Sequence, residues 1–441
     1  MPGIALKNFR GFDAAVIPFT KTNFFVGENS TGKSSVLALL EILSSPNFYF
    51  SQELASEYCD FSAYDDAVSA KNPKGKMAIG YFRLSYSQTK KGLIDALAFH
   101  FFNDDGLVGI QSLTYLANGY LISVNFKKTL LQFQVSKAKL DNRKTPVSNI
   151  ADLLVDDKAE ITGQFIESGT YSYNELPLPS PLITALNVLA LKGIRNSDEE
   201  PLVKVRLNPG LFSKPTWIAP IRTEPQEINT KNKRSYSPKG EHIPTLIRKA
   251  FGSKAEMQLA RKFQSVVPTF GEKSHLFESI GVHEYGKSPA SPFEVTIKFG
   301  GIEHRIANLG YGVSQSLPIL LEIASSSNSD SFIIQQPEVH LHPRAQAAFG
   351  DFFFEMVKDR DHSLYIETHS DFLIDRYRLR MNARKRKLAS NAQVIFFSQR
   401  DNGSNSAQPI RIKPDGSYPE ELPEKFKEFF LKEELQLLAI R

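Results

Sequence analysis

Residues 27–34 read Gly27-Glu28-Asn29-Ser30-Thr31-Gly32-Lys33-Ser34, and they give the strongest indication of the fold. Its spacing, G-x-x-x-x-G-K-S, is the pattern of a phosphate-binding loop when a strand precedes it and a helix follows it. An apolar strand is predicted at residues 22–26, and residues 34–43 have the apolar spacing of a buried helix. Strand, loop, lysine and helix therefore agree, and the sequence predicts a nucleotide site at this turn.

The chemistry of the loop follows from its residue types. Small residues let backbone N–H groups curl around the β- and γ-phosphates, and the following helix N-terminus adds positive potential. Lys33 supplies a mobile cation for the same oxygens, and the Ser34 hydroxyl is a candidate Mg²⁺ ligand. ATP and Mg²⁺ are the expected cofactors. The predicted contacts in the loop are Gly27, Asn29, Ser30, Thr31, Gly32, Lys33, Ser34 and Ser35.

A second glycine cluster lies late in the chain, where residues 308–316 read NLGYGVSQS. Gly310, Gly312 and Ser314 precede an apolar helix, so N–H groups and a hydroxyl are expected to point out from a helix start. An ordinary loop-to-helix cap explains the same pattern. The residues alone leave both readings open.

Two late strands end in polar residues. The apolar strand at 331–334 runs into Gln335-Gln336-Pro337-Glu338, and the strand at 364–366 runs into Glu367-Thr368-His369. A strand of this kind downstream of a phosphate loop is where a Walker B site is expected. A histidine at the end of a strand is usually structural, but its place after two nucleotide motifs favours a functional His369. For His340 and His342, the lack of a cysteine partner favours structural or interface roles over metal binding.

Composition sets limits on the class of protein. The 441 residues suggest two or three domains, and 41% hydrophobic with 23% charged residues indicates a globular chain. Cys59 is the single cysteine, which excludes an internal disulfide framework and a cysteine-based zinc site. The N-terminus lacks the apolar stretch of a signal peptide, and no run of about 18 apolar residues predicts a membrane span. We expect a cytoplasmic protein without membrane contact.

The charge balance is mildly basic, with 53 basic against 48 acidic residues and a formal charge of +5. This excess permits contact with nucleic acid but does not require it. Cationic residues concentrate at 231–234 and 376–387. Such runs are usually solvated faces; the alternative is a surface for the phosphate backbone of nucleic acid, with steeply salt-dependent binding.

The pattern along the chain predicts an α/β fold in three regions. Residues 1–136 combine the phosphate loop with alternating strands from about 77 to 136, typical of an antiparallel meander. Residues 137–300 are an inserted mixed α/β region of uncertain fold, with helices expected at 182–191 and 245–267 and a strand at 293–299. Residues 301–441 alternate between helix and strand (313–325, 331–334, 343–358, 363–367) and include the basic segment. No sustained heptads occur, so no long coiled coil is expected.

Five motifs in this order resemble the OLD/RecF-like branch of the ABC-type, SMC-like ATPases. They are NFR at 8–10, GENSTGKS at 27–34, NLGYGVSQS at 308–316, IIQQPEVHLHP at 333–343 and ETHS at 367–370. Within that branch the chain resembles ATPase subunits of bacterial anti-phage defence systems of the Septu and retron-associated type. The resemblance covers residues 1–45 and about 305–375, with a further similar fragment at 217–222. It implies an ABC-type ATPase head, in which an antiparallel β subdomain lies beside a central mixed sheet flanked by helices.

The same resemblance assigns roles and partners. It makes residues 310–315 the signature motif, in which Gly312, Ser314 and Gln315 contact the γ-phosphate held by the opposite subunit. The resemblance also implies that Arg10 contacts the nucleotide and that His369 is the switch histidine. Residues 340–343 would face the dimer partner. The implied partners are a second copy of the chain, in a homodimer or higher oligomer, and a separate nuclease or toxin subunit, with nucleic acid as a further candidate.

The chain departs from the family at the Walker B strand. The family normally has an acidic residue at position 335 and often a glutamate at 336, whereas this chain has glutamine at both. The predicted catalytic residues are Gln336, His369 and Gln335. The ATPase activity is expected to be weak, because glutamine cannot accept a proton. Either Glu338 or Glu367 compensates, or the protein hydrolyses ATP slowly and acts as a clamp; a deliberate carboxylate-to-amide substitution would look the same.

Three functional hypotheses follow. The first is an ATPase that dimerises around ATP and regulates a nucleic-acid-directed effector in anti-phage defence. Residues 371–441 contain no Asp-x-Asp pair, so a nuclease would have to be another polypeptide. The second is a RecF-like DNA repair ATPase that acts alone, and the third is a nucleotide sensor or scaffold with negligible turnover.

Overall fold

A computed structural model describes most of the chain. The described residues are 2–85, 93–117, 119–138, 162–172, 180–185, 214–222, 225–230, 235–288, 290–382 and 391–430. The chain forms two compact units that interleave along the sequence. The first comprises Met1–Thr20, Gly27–Lys214 and Phe396–Pro409, and the second comprises Lys21–Val26, Pro215–Ile395 and Ile410–Arg441. The three consecutive regions expected from the sequence remain a prediction.

The strands and helices are labelled in chain order. The strands are β1 (Pro2–Phe9), β2 (Phe12–Pro18), β3 (Thr22–Gly27), β4 (Met77–Ser85), β5 (Leu93–Asp104), β6 (Leu107–Ala117), β7 (Tyr120–Phe126), β8 (Leu130–Ala138), β9 (Thr162–Ser172), β10 (Thr216–Ile218), β11 (Ser279–Glu284), β12 (Phe293–Phe299), β13 (Ile302–Arg305), β14 (Ser331–Gln335), β15 (Ser363–Glu367), β16 (Ala392–Gln399) and β17 (Asn405–Arg411). The helices are α1 (Lys33–Ser44), α2 (Pro46–Ser51), α3 (Tyr64–Ala67), α4 (Ile243–Phe251), α5 (Met257–Gln264), α6 (Val267–Ser274), α7 (Tyr311–Ser325), α8 (Pro343–Arg360), α9 (Asp371–Asn382) and α10 (Glu424–Phe430).

The first unit contains an antiparallel sheet of eight strands in the order β2-β1-β4-β5-β6-β7-β8-β9. Alternating side chains bury one face, as in the cluster formed by Ala5, Phe82, Leu84, Ala96, Ala98, Leu116 and Leu121. The β5–β6 turn has positive φ at Asp105 and Gly106, which suits a tight hairpin. The predicted meander is therefore confirmed. Strand β9 was missed, because its mostly exposed side chains give no apolar alternation.

A second sheet has six strands in the order β10-β14-β15-β3-β16-β17. The neighbours β10, β14, β15 and β3 pair in parallel, and their cores are buried as expected for parallel strands covered on both faces. Their carboxyl ends consequently share one edge, the usual position of a ligand site in such sheets. The predicted alternation of helix and strand after residue 301 is found as α7, β14, α8 and β15. Together with the antiparallel sheet, it confirms the mixed α/β fold.

The elements between residues 181 and 305 differ in detail from the sequence prediction. The helical segment expected at 245–267 is divided among α4, α5 and α6. Gly252 ends α4, and Pro268 lies in the first turn of α6, a position where proline begins a helix but does not continue one. Strands β11, β12 and β13 form a small antiparallel sheet, in which β12 is the predicted strand. Of the helix expected at 182–191, residues 181–185 are helical and the remainder lies outside the described residues.

Helix length bears on the expected absence of a long coiled coil. Among the described residues the longest helix is α8, with 18 residues. In the same part of the chain, no helix has both the length and the apolar composition required to cross a bilayer.

Candidate nucleotide site

The loop after β3 has an unusual backbone. Gly27, Ser30 and Gly32 have φ values of 138°, 64° and 95°. A Cβ at Gly27 would clash with the Phe397 carbonyl oxygen, and one at Gly32 would clash with the Phe12 ring. Glycine is therefore required at both positions, for space as well as for conformation. Turns with residues of this kind direct successive N–H groups toward one point, which suits an anion.

Lys33 begins α1 and folds back over the loop. Its ammonium group donates to the carbonyl oxygens of Gly27, at 2.9 Å, and Glu28, at 2.7 Å. The Thr31 hydroxyl donates to the same Glu28 oxygen at 2.7 Å. Lys33 is only 4% exposed, so the cation is held against the loop that is proposed to receive the phosphates.

The outer side of the loop is accessible. Glu28, Asn29, Ser30 and Ser34 are exposed, and Ser35 is half-buried, whereas Thr31 is buried. Helix α1 has no side-chain cap and no acidic residue in its first turn, so its positive end is not neutralised by its own side chains. The Lys33 cation, the Ser34 hydroxyl and the N–H-rich loop are groups that suit a triphosphate and a magnesium ion.

Arg10 lies on the hairpin between β1 and β2. Its φ is 50°, its N–H donates to the Ala67 oxygen at 2.8 Å, and its guanidinium lies 5.0 Å from the centre of the Phe61 ring. A Cβ added to Gly11 would meet the Asn405 amide, and one at Gly32 would lie 3.3 Å from the same group. Asn405 thus contacts both the Arg10 hairpin and the phosphate loop, a neighbour that the sequence analysis did not find.

In the second unit, the ends of β14 and β15 bring two carboxylates together with the two glutamines. The Gln335 amide donates to Glu367 Oε2 at 3.0 Å, and these residues are partners in the strand register. Gln336 has a positive φ of 43°, and its N–H donates to the Glu367 carbonyl at 2.7 Å. Glu367 is 6% exposed. A carboxylate therefore lies beside Gln335 at the end of the strand.

Glu338 links the two strand ends. One carboxylate oxygen accepts from the Thr368 hydroxyl at 2.8 Å, and the other accepts from the His369 backbone N–H at 2.6 Å. Burial raises the pKa of Glu338, because the charged form loses hydration, while the His369 and Thr368 hydrogen bonds oppose that rise. The His369 residue itself is exposed, so Glu338 fixes the backbone from which this side chain projects.

The signature-like cluster begins α7, with its side chains turned in different directions. The Ser314 hydroxyl donates to the Tyr311 carbonyl at 3.0 Å, and the Gln315 amide pairs with the backbone of Arg222; both residues are buried. At the exposed end, nothing lies within 4 Å of a Cβ added to Gly310, and Tyr311 is 54% exposed. The backbone near Gly310 and the ring of Tyr311 therefore reach solvent, whereas the predicted ligand contacts Ser314 and Gln315 are engaged inside the protein.

The histidines after β14 have structural contacts. His340 has a φ of 62°, and its ring lies 5.4 Å from that of Tyr311; His342 is the N-cap residue of α8. No group of three or more His, Cys, Asp or Glu residues suited to a metal ion occurs within the described ranges.

The cationic segment on α9 is largely paired. Arg376 and Arg380 contact Asp351, Arg380 also contacts Glu355, and Arg378 pairs with Asp375 at 2.7 Å and lies 3.8 Å from the Tyr418 ring centre. These arginines form ion pairs within the protein, which argues against a free phosphate-binding surface at residues 376–380. Residues 383–387 and the second cationic run, 231–234, lie outside the described residues.

Arg222 is a site residue to which sequence reasoning assigned no role. It follows β10, is 3% exposed, and donates to the carbonyl oxygens of Gln315, at 3.2 Å, and Gln335, at 3.0 Å. The signal in the sequence was the fragment 217–222, which ends at Arg222 and belongs to the resemblance described above.

A glycine-lysine-serine loop between a strand and a helix defines a P-loop nucleotide-binding protein. The chain belongs to the AAA ATPase domain family, whose model matches residues 1–181 and 200–374. A search of curated proteins found no match.

Among solved structures, the chain is similar to SMC head domains. For the Smc head domain with an extended coiled coil bound to the C-terminal domain of ScpA, from Pyrococcus furiosus, identity is 14%, the TM-score is 0.41, and the match covers 100% of this chain and 99% of that one. For the SMC head domain from Thermotoga maritima, identity is 12%, the TM-score is 0.34, and the match covers 92% of this chain and 98% of that one. For the Smc head domain with a coiled coil and joint from Pyrococcus yayanosii, identity is 12%, the TM-score is 0.38, and the match covers 93% of this chain and 97% of that one.

Proposed function

We propose that this chain is an ATP-operated switch that binds Mg²⁺-ATP at residues 27–34, dimerises around the nucleotide and reopens after slow hydrolysis. The observation that carries the proposal is the loop itself. It combines positive φ at Gly27, Ser30 and Gly32 with a lysine held at its centre and an exposed serine at the start of α1. In the proposed site the loop N–H groups and Lys33 hold the phosphates, and the Ser34 hydroxyl is the magnesium ligand.

Glu367 is the proposed substitute for the carboxylate missing at position 335. It accepts a hydrogen bond from the Gln335 amide, and in the register of β15 and β3 it pairs with Phe25, two residues before the loop begins. A carboxylate at this strand end provides the negative charge that a magnesium ion requires, whereas a glutamine provides one neutral oxygen.

Slow hydrolysis is expected because position 336 holds a glutamine and not a carboxylate. The Gln336 amide can orient a water molecule by hydrogen bonding but cannot accept its proton. The exposed His369, held through its backbone by Glu338, is the proposed second polar contact for the reacting phosphate. We therefore expect turnover at the low end for ATPases and a long-lived ATP-bound form.

Dimerisation is proposed to use the exposed start of α7. Open space at Gly310 and the exposed Tyr311 ring leave the N-terminal end of this helix accessible to a second copy. A helix N-terminus attracts anions, so it suits a γ-phosphate carried by the partner. Nucleotide would then stabilise the dimer, and hydrolysis would weaken it.

The effector is proposed to be a separate nuclease, regulated by this ATPase in anti-phage defence. Support comes from the order of the five motifs. The association is tested by co-purifying this chain with the product of the adjacent gene. A DNA cleavage assay with and without ATP then tests whether the complex is a regulated nuclease. Turnover stimulated by DNA without any companion protein would favour the repair ATPase instead.

The central test is Lys33→Ala in the full chain. Removing the cation from the loop should weaken Mg²⁺-ATP binding at least about 100-fold, as measured by isothermal titration calorimetry. Lys21→Ala is the matched control, because Lys21 pairs with Asp361 on the surface and should leave affinity unchanged. Unchanged affinity in the folded Lys33 variant would refute the nucleotide site.

A further inference from the structure

Arg222 joins two elements of the second unit. Its Nη1 donates to the Gln315 carbonyl on α7, and its Nη2 donates to the Gln335 carbonyl at the end of β14. The Gln315 amide also accepts from the Arg222 N–H and donates to the Arg222 carbonyl, both at 3.3 Å. The start of α7 and the end of β14, which are 20 residues apart in sequence at Gln315 and Gln335, are thus connected through one side chain.

The charge of Arg222 is poorly compensated. Its side chain is buried, its Nε has no hydrogen-bond partner, and among the described residues no carboxylate lies within ion-pair distance of its guanidinium. Burial lowers its pKa to about 10, while the negative charge of Glu338 opposes the fall, so the group stays protonated at neutral pH. A buried charge without a carboxylate partner costs desolvation free energy, which its two carbonyl hydrogen bonds offset only in part. Its presence is therefore better explained by function than by stability.

We infer that Arg222 is a positioning residue for ATP hydrolysis, which passes a shift at the start of α7 to the end of β14. The inference rests on the proposed function, because the start of α7 is the proposed contact for the partner's nucleotide. Arg222 holds the Gln335 carbonyl, one residue before Gln336 and three before Glu338. A movement of α7 consequently moves the backbone that carries the water-orienting amide and the carboxylate that anchors His369.

The geometry of guanidinium explains why arginine occupies this position. Two carbonyl oxygens on different elements are reached by the two terminal nitrogens of one planar group. A lysine would keep the charge but would present its donors from a single atom. Lysine should therefore preserve the charge and weaken the connection.

The experiment compares Arg222→Met and Arg222→Lys with the wild-type full chain. We expect Arg222→Met to lower kcat for ATP about tenfold or more, with KM changed less than about threefold, because the phosphate loop is untouched. Arg222→Lys should give an intermediate kcat. Wild-type kcat in the folded Arg222→Met variant would overturn the inference.

Arg248→Met is the matched control. Arg248 is also largely buried and also donates to two carbonyl oxygens, those of Ser291 and Ser288, but neither of these belongs to α7 or β14. Its replacement should lower the thermal unfolding temperature and leave kcat unchanged. An equal loss of kcat in both variants would indicate a general effect of losing a buried arginine and would also overturn the inference.

Hydrogen exchange provides a readout that does not depend on turnover. In the wild type, Mg²⁺-ATP should slow amide exchange in residues 27–34, 311–316 and 335–340. In Arg222→Met the first two effects should persist and the third should be lost. Protection of 335–340 that persists in the variant, or that is absent from a wild type that binds ATP, contradicts the inference alone, whereas a wild type without ATP affinity contradicts the proposed function as well.

Discussion

Gln335 and Glu367 form a neutral–anionic pair at the ends of two parallel strands. The amide donates to the carboxylate at 3.0 Å, so this pair carries one negative charge, whereas an acidic residue at position 335 would give it two. This pairing also explains how a chain with glutamine at position 335 keeps a carboxylate at the edge of the sheet. The identity of residue 335 therefore sets the charge of the site, and not its shape.

Gln335→Glu tests that argument at a single residue. Two carboxylates at hydrogen-bond distance raise the pKa of one of the pair, so without a divalent ion the variant should be less stable than the wild type by about 1–3 kcal/mol. A raised pKa means that the difference is small at low pH and grows as pH rises through that pKa. Denaturant unfolding at pH 5 and pH 8, with and without Mg²⁺ and ATP, measures it.

The charge-swapped variant Gln335→Glu/Glu367→Gln is the control. It restores one carboxylate and one amide and should recover most of the lost stability. Equal stability of the single variant and the wild type at both pH values would show that the two side chains do not interact.

Helices α6, α8 and α9 meet around one buried carboxylate. Asp351 is 4% exposed and lies 3.1 Å from Lys273, 3.4 Å from Arg376 and 3.5 Å from Arg380. Close to it, Phe270 of α6 packs on Phe349 of α8, with ring centres 4.8 Å apart. The apolar spacing of residues 343–358 predicts a helix. It does not predict that arginines of α9 pair with an acidic residue on α8, because that pairing depends on how the helices pack.

Asp351→Asn is the corresponding prediction. Removing the charge leaves three partly exposed cations around a neutral amide, and because water can solvate them the loss should cost about 1–3 kcal/mol. Denaturant unfolding checks the value. Asp375→Asn is the matched control, since Asp375 is an exposed partner of Arg378 and its loss should cost under about 1 kcal/mol. Equal effects of the two substitutions would contradict the proposed importance of the buried network.

At the scale of the whole molecule, the proposed switch requires two copies of the chain and two nucleotides. ATP held by the loop of one copy would meet the start of α7 of the other, so binding and association should be linked. The proposed low turnover makes the dimer persistent enough to be observed in solution.

Gly310→Glu separates association from nucleotide binding. Gly310 has a φ of −62°, and a Cβ there has open space, so the variant should fold normally. The added negative side chain should repel the partner's phosphate and abolish the ATP-dependent dimer, while ATP affinity of the monomer stays within about threefold of wild type. Analytical ultracentrifugation with and without Mg²⁺-ATP measures the association, and a dimer that persists in the variant would exclude this end of α7 from the interface.

Local features could be predicted from the order of residues alone. The phosphate loop follows from eight consecutive residues, and the alternation of helix and strand after residue 301 follows from apolar spacing, because both depend on neighbours along the chain. The replacement of two carboxylates by glutamine was equally visible. Strand β9 and the division of residues 243–274 into three helices were not, because exposure and helix packing leave weak periodic signals.

The contacts between residues that are distant in sequence could not be predicted in this way. The partnership of Gln335 with Glu367 depends on the register of two parallel strands 32 residues apart, and Arg222 reaches Gln315 and Gln335 across 93 and 113 residues. The pairing of the α9 arginines likewise depends on helix packing. Sequence spacing cannot specify such contacts, because they are set by the register and packing of elements in space.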